Sequence, residues 1–298
     1  MTFIGQETQA DPVPSWQESR PETLAGEGSL VLSWPTTLFM AAVHIVALLG
    51  GIRYFSWSGL LVAVVLNFLT ISLGISLGYH RLLSHRSLRV PKFLEYMLAV
   101  CGALAAQRGP IFVTATHRRH HAFSDQEQDP HSPWQRGFWW GHLLWLLYVY
   151  PPEQQQQINQ RYAADLLKDP VYRFLDRRFL ALQLLLGILL FWGGGWSWVV
   201  YGVFVRLVVG WHVTWLNLSA THLWGRQWIP DDRHHARNLW WVAWLTYGEG
   251  WHSNHHTYPH SARIGLTWWQ VDPTYGVIWL LQNLGLADQV KLPASQRH

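Results

Sequence analysis

The sequence predicts an all-α integral membrane protein: four transmembrane helices in two hairpins, with a helical cap on the cytoplasmic side. Three observations carry this expectation. Charged residues make up only 13 % of the chain against 49 % hydrophobic, about half the charge share of an ordinary soluble domain. The apolar residues are gathered into long charge-free stretches, yet the mean hydropathy of the whole chain is only +0.01, so a sizeable polar region must lie between them. The 17 His are clustered beside those stretches.

Residues 1–30, rich in Pro, Gly, Glu and Gln, read as a loosely attached arm, and 31–298 as a single membrane domain. A first charge-free stretch runs from Gly28 to Ile52 and a second from Tyr54 to His80. Each can cross a hydrocarbon core of ~30 Å, which takes about 20 helical residues; helices are expected over 35–52 and 57–79. Gly50-Gly51, close to Arg53, suits the turn between them. A third stretch, Phe179 to Val205, is interrupted by Gly193-Gly194-Gly195. It splits into helices over 179–193 and 198–219. Arg206 falls within the last and is expected to snorkel or to face the protein interior, because a lipid-facing Arg is costly. Phe93–Val113 reads as one helix lying at the membrane interface. Trp139–Tyr150 and Leu239–Tyr247, dense in Trp and Tyr, read as interfacial too.

Charge asymmetry orients the spans. Arg81, Arg86, Arg89, Lys92, Arg108, Arg118, Arg119 and Arg136 follow the second helix; Arg226, Arg233, Arg237 and Arg263 follow the fourth. The hairpin turns carry almost no charge. Both large polar segments are therefore cytoplasmic, and both termini with them. The acidic arm ahead of Ser33 is no secretory signal, and a bacterial inner membrane is expected rather than endoplasmic reticulum. The net charge of +4 suits a face toward anionic headgroups. The basic residues are scattered among apolar spans, which argues against nucleic acid. The single cysteine, Cys101, excludes a disulfide framework and a Cys-rich metal site.

Three clusters carry the chemistry: His80 with His85; His117, His120 and His121; His252, His255 and His256. Spacings of three and four put each of the latter two sets on one side of a helix. A lone His on an apolar face is most often a hydrogen-bonded core residue, which suffices for His44, His142 and His212. It does not suffice for three clusters beside membrane-length segments. Metal binding does, and eight His exceed the needs of one ion. HExxH is absent, which argues against a zinc protease. Two irons activating O2 fit imidazole donors, so the cap is expected to hold a His-rich di-metal site.

The boxes HxxxxH, HxxHH and HxxHH resemble those of the membrane fatty-acid desaturase family. The flanks His117–Asp125, Asp129-Pro-His-Ser-Pro, Gly137-Phe-Trp-Trp, Gly248-Glu-Gly-Trp-His and Asp272-Pro-Thr-Tyr resemble its stearoyl-CoA and acyl-lipid Δ9 branch. The resemblance runs from about Trp34 to the end of the chain. It implies a ninth ligand, His222, and two sites: His80, His85, His117, His121 and His255 at one; His120, His222, His252 and His256 at the other. The family's Asn before the Ser of that segment is replaced by Leu218. Asn217 stands one place earlier, about 100° round a helix, and is expected to reach the site through a local distortion. Asp125, Asp129 and Glu249 are candidates to hold ligand imidazoles. His131, His234, His235 and His260 fall outside the boxes, as surface residues or supports.

The resemblance implies an O2-dependent oxidoreductase that puts a cis double bond, at Δ9, into a saturated acyl chain. A narrow apolar tunnel is expected, its deep end against the second helix and Phe68 as a candidate plug. With no haem domain, Cys cluster or GxGxxG motif, electrons must come from an external donor of ferredoxin or cytochrome b5 type. A hydroxylase or ketolase on the same di-iron core is the alternative enzyme. A metal-dependent transporter or sensor would need more polar residues along the spans.

Overall fold

The computed structural model describes residues 30–229 and 234–293; the expected arm lies almost wholly outside them. The chain is mostly helical. Three stretches are long and apolar enough to cross a membrane: Trp34–Arg53 (α1), Trp57–Ser84 (α2) and Pro170–Leu223. The third is broken. Gly194 (φ −159°) and Gly195 (φ +62°, ψ −155°) leave the helical region inside Pro170–Val199 (α6). The chain then passes through Val200–Val205 into Arg206–Leu223 (α7). Only glycine adopts the Gly195 conformation cheaply, which is why the break falls there.

Helix starts follow the capping rules. Ser33 and Ser56 accept the Thr36 and Gly59 N–H groups ahead of α1 and α2, and Asp169 accepts that of Val171 ahead of α6. The Gly50-Gly51 pair does not form the first turn. It stays inside α1, whose last residue is Arg53, where the missing side chain lets Val200 approach: a Cβ on Gly50 would lie 3.2 Å from Val200 Cγ1. The third stretch also starts earlier than its charge-free core, at Pro170, because Asp169 and Pro170 supply cap and first turn.

Between the long helices sit shorter ones. Phe93–Val113 is not one helix. Lys92–Ala103 (α3) and Pro110–Ala122 (α4) are separated by a loop in which Ala106 and Arg108 adopt left-handed backbone (φ +51° and +76°). Gly109-Pro110 starts the second helix, and Asp176 of α6 accepts the N–H groups of Ile111 and Phe112 at 3.0 Å. Pro152–Tyr162 (α5) packs beneath α4. Trp139–Tyr150 holds short turns and a two-residue strand, Tyr148–Val149, paired antiparallel with Val31–Leu32 in the register Val31↔Val149. Trp240–Leu245 (α8), His252–Thr257 (α9) and Pro273–Asn283 (α10) complete the chain.

Arg206 faces inward, 2 % exposed. It donates to the Gly202 and Leu104 carbonyls, to Thr70 and to Gln183, joining α7, α2, α6 and the α3–α4 loop. α3 lies close along α2: a Cβ on Gly74 would come within 2.4 Å of Cys101 C.

Candidate metal centre

The second half of α2, Phe68–Ser84, is wound with i→i+5 hydrogen bonds. This sets the first box. On an α-helix, residues five apart point about 140° away from each other. On a helix bonded i→i+5, which has more residues per turn, they come much closer to one face. The His85 N–H accordingly bonds the His80 carbonyl at 3.1 Å, and the two rings lie 4.9 Å apart. The second box lies on α4 and the third on α9. On each, the three rings stay on one side of the helix, a pair four residues apart turning toward one group and the remaining histidine toward the other.

The side chains meet in two groups. His80, His85, His117, His121 and His255 form one; His120, His222, His252 and His256 form the other. Within each, one donor atom per residue lies within 4.8 Å of all the rest. The closest contacts join Nε2 atoms. His80 and His121 approach His255 at 3.0 and 2.9 Å, and His85 approaches His117 at 2.6 Å. In the second group His252 approaches His222 at 3.0 Å and His256 at 3.1 Å, and His256 approaches His120 at 3.2 Å.

These contacts test whether the residues fit a metal. A ring nitrogen has one hydrogen or one lone pair, so it can make one good hydrogen bond. His252, His255 and His256 each face two others, an arrangement that hydrogen bonding alone leaves unsatisfied. A cation accounts for it. With metal–nitrogen bonds near 2.1 Å, ligands at right angles lie about 3.0 Å apart, which matches most of the contacts. The donor set fits.

Carboxylates hold the outward nitrogens. Glu249 Oε2 lies 2.7 Å from His80 Nδ1 and Asp129 Oδ2 lies 2.8 Å from His120 Nδ1. Both oxygens of Asp125 lie 3.0 Å from His222 Nδ1. Each fixes the tautomer that presents a bare Nε2. Burial would raise these acids. Asp125 and Asp129 are instead held below the ordinary range by His222 and His120, and Glu249 is held at about 2 by His80 and Arg81. Burial first, and neighbouring imidazoles second, push His85, His117, His121, His252, His255 and His256 well below 6.5. His120 moves up: Asp129 outweighs its burial.

The supports reach further than the sequence indicated. Arg81, 1 % exposed, forks Asp272 at 3.0 and 2.9 Å and also donates to Glu249 Oε1 at 3.0 Å. In the sequence it was only a topogenic charge; its place directly after His80 was the available signal. His131 is buried against His120 and His234 against His256, with ring centres 4.4 and 4.9 Å apart. His131 also joins His120 and Asp129 in a third group of close donor atoms. His235 stacks on Trp134 and its N–H bonds Asp125; His260 reaches the His85 carbonyl. His44, His212 and His142 form a hydrogen-bonded row at 3.1 and 3.0 Å that ends on Ser219. They stay apart from both groups.

A mostly apolar cavity lies against both groups. Ile71, Ile75 and Tyr79 of α2, Phe112 and Val113 of α4, and Leu146 form its walls, and His80, His117, His120 and His252 lie at its inner surface. Asn217 and Leu218 both reach it. The Asn217 amide lies 3.3 Å from His252 Nδ1. α7 is regular at this point; the loose winding lies more than three turns earlier, at Val200–Val205. Phe68 is not on the wall. It packs edge-on to Tyr247, three residues before Ile71, which does line the cavity.

The fold and site define a mostly helical protein, with three stretches able to cross a membrane, built round paired clusters of imidazoles that suit a metal. Residues 55–281 match the family model for fatty acid desaturase. The chain belongs to that family. It is 53 % identical to the sn-2 palmitoyl-lipid 9-desaturase of Nostoc sp. (strain 36), over 87 % of this chain and 90 % of that one. It is 49 % identical to the sn-1 stearoyl-lipid 9-desaturase of Anabaena variabilis, over 91 % and 98 %. A Synechocystis sn-1 stearoyl-lipid 9-desaturase is 44 % identical, over 89 % and 82 %. The chain is an acyl desaturase, an oxidoreductase of lipid metabolism.

Proposed function

We propose that the chain introduces a cis Δ9 double bond into the acyl chain of a membrane lipid, using O2, two irons and electrons from an external donor. His80, His85, His117, His121 and His255 would hold one iron, and His120, His222, His252 and His256 the other. The convergence of Nε2 atoms in two adjoining groups beside one apolar cavity carries this reading. The relatives' names support the substrate and position of attack. Bound iron would supply the oxidising power that side chains lack against an unactivated C–H bond.

The protein's own part is placement. Glu249, Asp125 and Asp129 hold imidazoles in one tautomer. The cavity wall fixes two neighbouring methylenes and excludes water. Asn217, with its amide turned over, accepts the His252 Nδ1 proton through an oxygen that otherwise has no partner. Phe68, held edge-on against Tyr247 three residues before Ile71, limits the room at that end of the cavity. Four crossings follow if the Gly194–Gly195 break is a turn outside the membrane. Both termini and the histidine cap then lie in the cytoplasm of a bacterial cell. The basic cytoplasmic face would attract an acidic ferredoxin or cytochrome b5 type donor.

Anaerobic purification followed by metal analysis and Mössbauer spectroscopy tests the centre. Two irons per chain, with two nitrogen-rich environments, are expected. A single zinc, or one iron, would overturn it.

A further inference from the structure

A second cavity opens beside the first. Phe39 and Met40 of α1, Phe179 and Leu180 of α6, and Trp211 and Trp215 of α7 form its sides. It shares Gln107 and Leu146 with the active-site cavity. Its apolar wall reaches the outer surface at Leu180, which is 45 % exposed. It therefore faces the surface that lipid covers, near the ends of the spans that adjoin the histidine groups.

Arg108 stands where the cavities meet. It lines the second cavity and also a third, which shares Phe112, Thr116, Trp145 and Leu146 with the active-site cavity. Among the described residues its hydrogen bonding is one 3.3 Å contact to Thr36 Oγ1, and its guanidinium sits 5.3 Å above the Phe112 ring. Asp176, whose field reaches it, uses Oδ1 on the N–H groups of Ile111 and Phe112. By contrast, buried Arg81 forks Asp272 and buried Arg118 forks Asp165. Most donors of this half-buried cation make no hydrogen bond within the protein and yet are not sealed off, so they are open to a ligand's oxygens. Its left-handed backbone, φ +76°, adds strain of the kind found at ligand clamps.

Two acyl chains of one glycerolipid leave adjacent carbons, so when one enters the active-site cavity the other needs a separate apolar path that begins beside it. The two apolar cavities diverge from Gln107 and Leu146, with the Arg108 cation beside them. We propose that Arg108 clamps the phosphate of an intact diacyl glycerolipid taken sideways from the leaflet, one chain lying in the active-site cavity and the other between α1, α6 and α7. This rests on the acyl-lipid reading above and adds the residue and the groove that select it. Arg's planar fork suits phosphate oxygens.

The test uses the full-length enzyme in vesicles of 1-stearoyl-2-palmitoyl phosphatidylglycerol or of an inert lipid carrying the matching diacylglycerol. Ferredoxin, cytochrome b5 and their reductases are supplied together. Desaturation and, separately, phosphatidylglycerol retained through purification are measured. Wild type should favour phosphatidylglycerol. R108Q should raise KM for it by about ten- to a hundredfold, with a smaller change in kcat, and should lose retained lipid; R108K should recover part of both. Met40→Trp, filling the groove, should penalise the diacyl lipid more than its one-chain lyso form. Equal KM for both lipids in wild type, or unchanged KM and retention in R108Q with iron content intact, would overturn the clamp. Retention that depends on Arg108 without any desaturation would leave the clamp standing and sink the desaturase reading.

Discussion

Glu249→Gln should weaken the five-histidine group selectively, and the size of the effect follows from the hydrogen bonds. Glu249 Oε1 accepts from Arg81 Nε and Nη2 at 3.2 and 3.0 Å, and from Ser76; Oε2 faces His80 Nδ1 at 2.7 Å. Every neighbour is a donor. Gln has the same shape but replaces one oxygen with an NH2. In one orientation the NH2 faces the His80 N–H, and in the other it faces Arg81 and Ser76. Either way donor meets donor. Loss of such an outer support typically costs ten- to a hundredfold in metal affinity, about 1.4–2.7 kcal/mol. The charge matters as well. A carboxyl lowered from 4.5 to about 2 contributes of order 3 kcal/mol to stability at neutral pH, present above pH 4.5 and lost as pH falls toward 2. The assay is iron per chain after graded chelator treatment, alongside thermal unfolding at pH 7. E249Q should fall from two irons toward one at lower chelator concentration and melt earlier. Wild-type iron retention and stability in E249Q would refute the reasoning.

Further outcomes follow from the same geometry. Asp125→Asn should cost the four-histidine group about ten- to a hundredfold in affinity, because His222, His235 N–H and Ser132 all donate to that carboxylate; chelator titration reads it. The metal-free protein should lose stability as pH falls below about 6.5, since the unfolded chain takes up protons that buried His85, His117, His121, His252, His255 and His256 resist; melting curves from pH 8 to 5 test this, and a flat profile would contradict it. Phe68→Ala should let the enzyme accept a longer acyl chain by removing the ring packed on Tyr247 three residues before Ile71; an unchanged chain-length profile removes Phe68 from the account. Gly195→Ala should destabilise by about 1–3 kcal/mol, because φ +62° with ψ −155° suits glycine alone.

Much of this was legible in the sequence because the determining features are local. Charge-free length marked α1, α2 and the broken third stretch. Spacings of three and four placed His117, His120, His121, His252, His255 and His256 on helix faces. What stayed hidden depends on packing. His80 and His85 share a face only because α2 changes to i→i+5 bonding, and apolar periodicity does not report that change. The Phe93–Val113 region read as one apolar helix, but Gly109-Pro110 and the Asp176 cap divide it. The Gly50-Gly51 pair read as a turn, whereas its role is to admit Val200. The Arg81–Glu249–Asp272 network joins residues up to 191 apart in sequence, a separation that no pattern along the chain encodes.

The most direct test of the central claim is the fatty-acid profile, with double-bond location, of a host lacking its own desaturase and expressing this chain. It should be run beside a His120→Ala, His256→Ala double variant. New Δ9-monounsaturated chains in membrane lipids with the wild type, and none with the variant, are the predicted result. Hydroxylated products, or an unchanged profile from an iron-loaded protein supplied with both donor types, would contradict it.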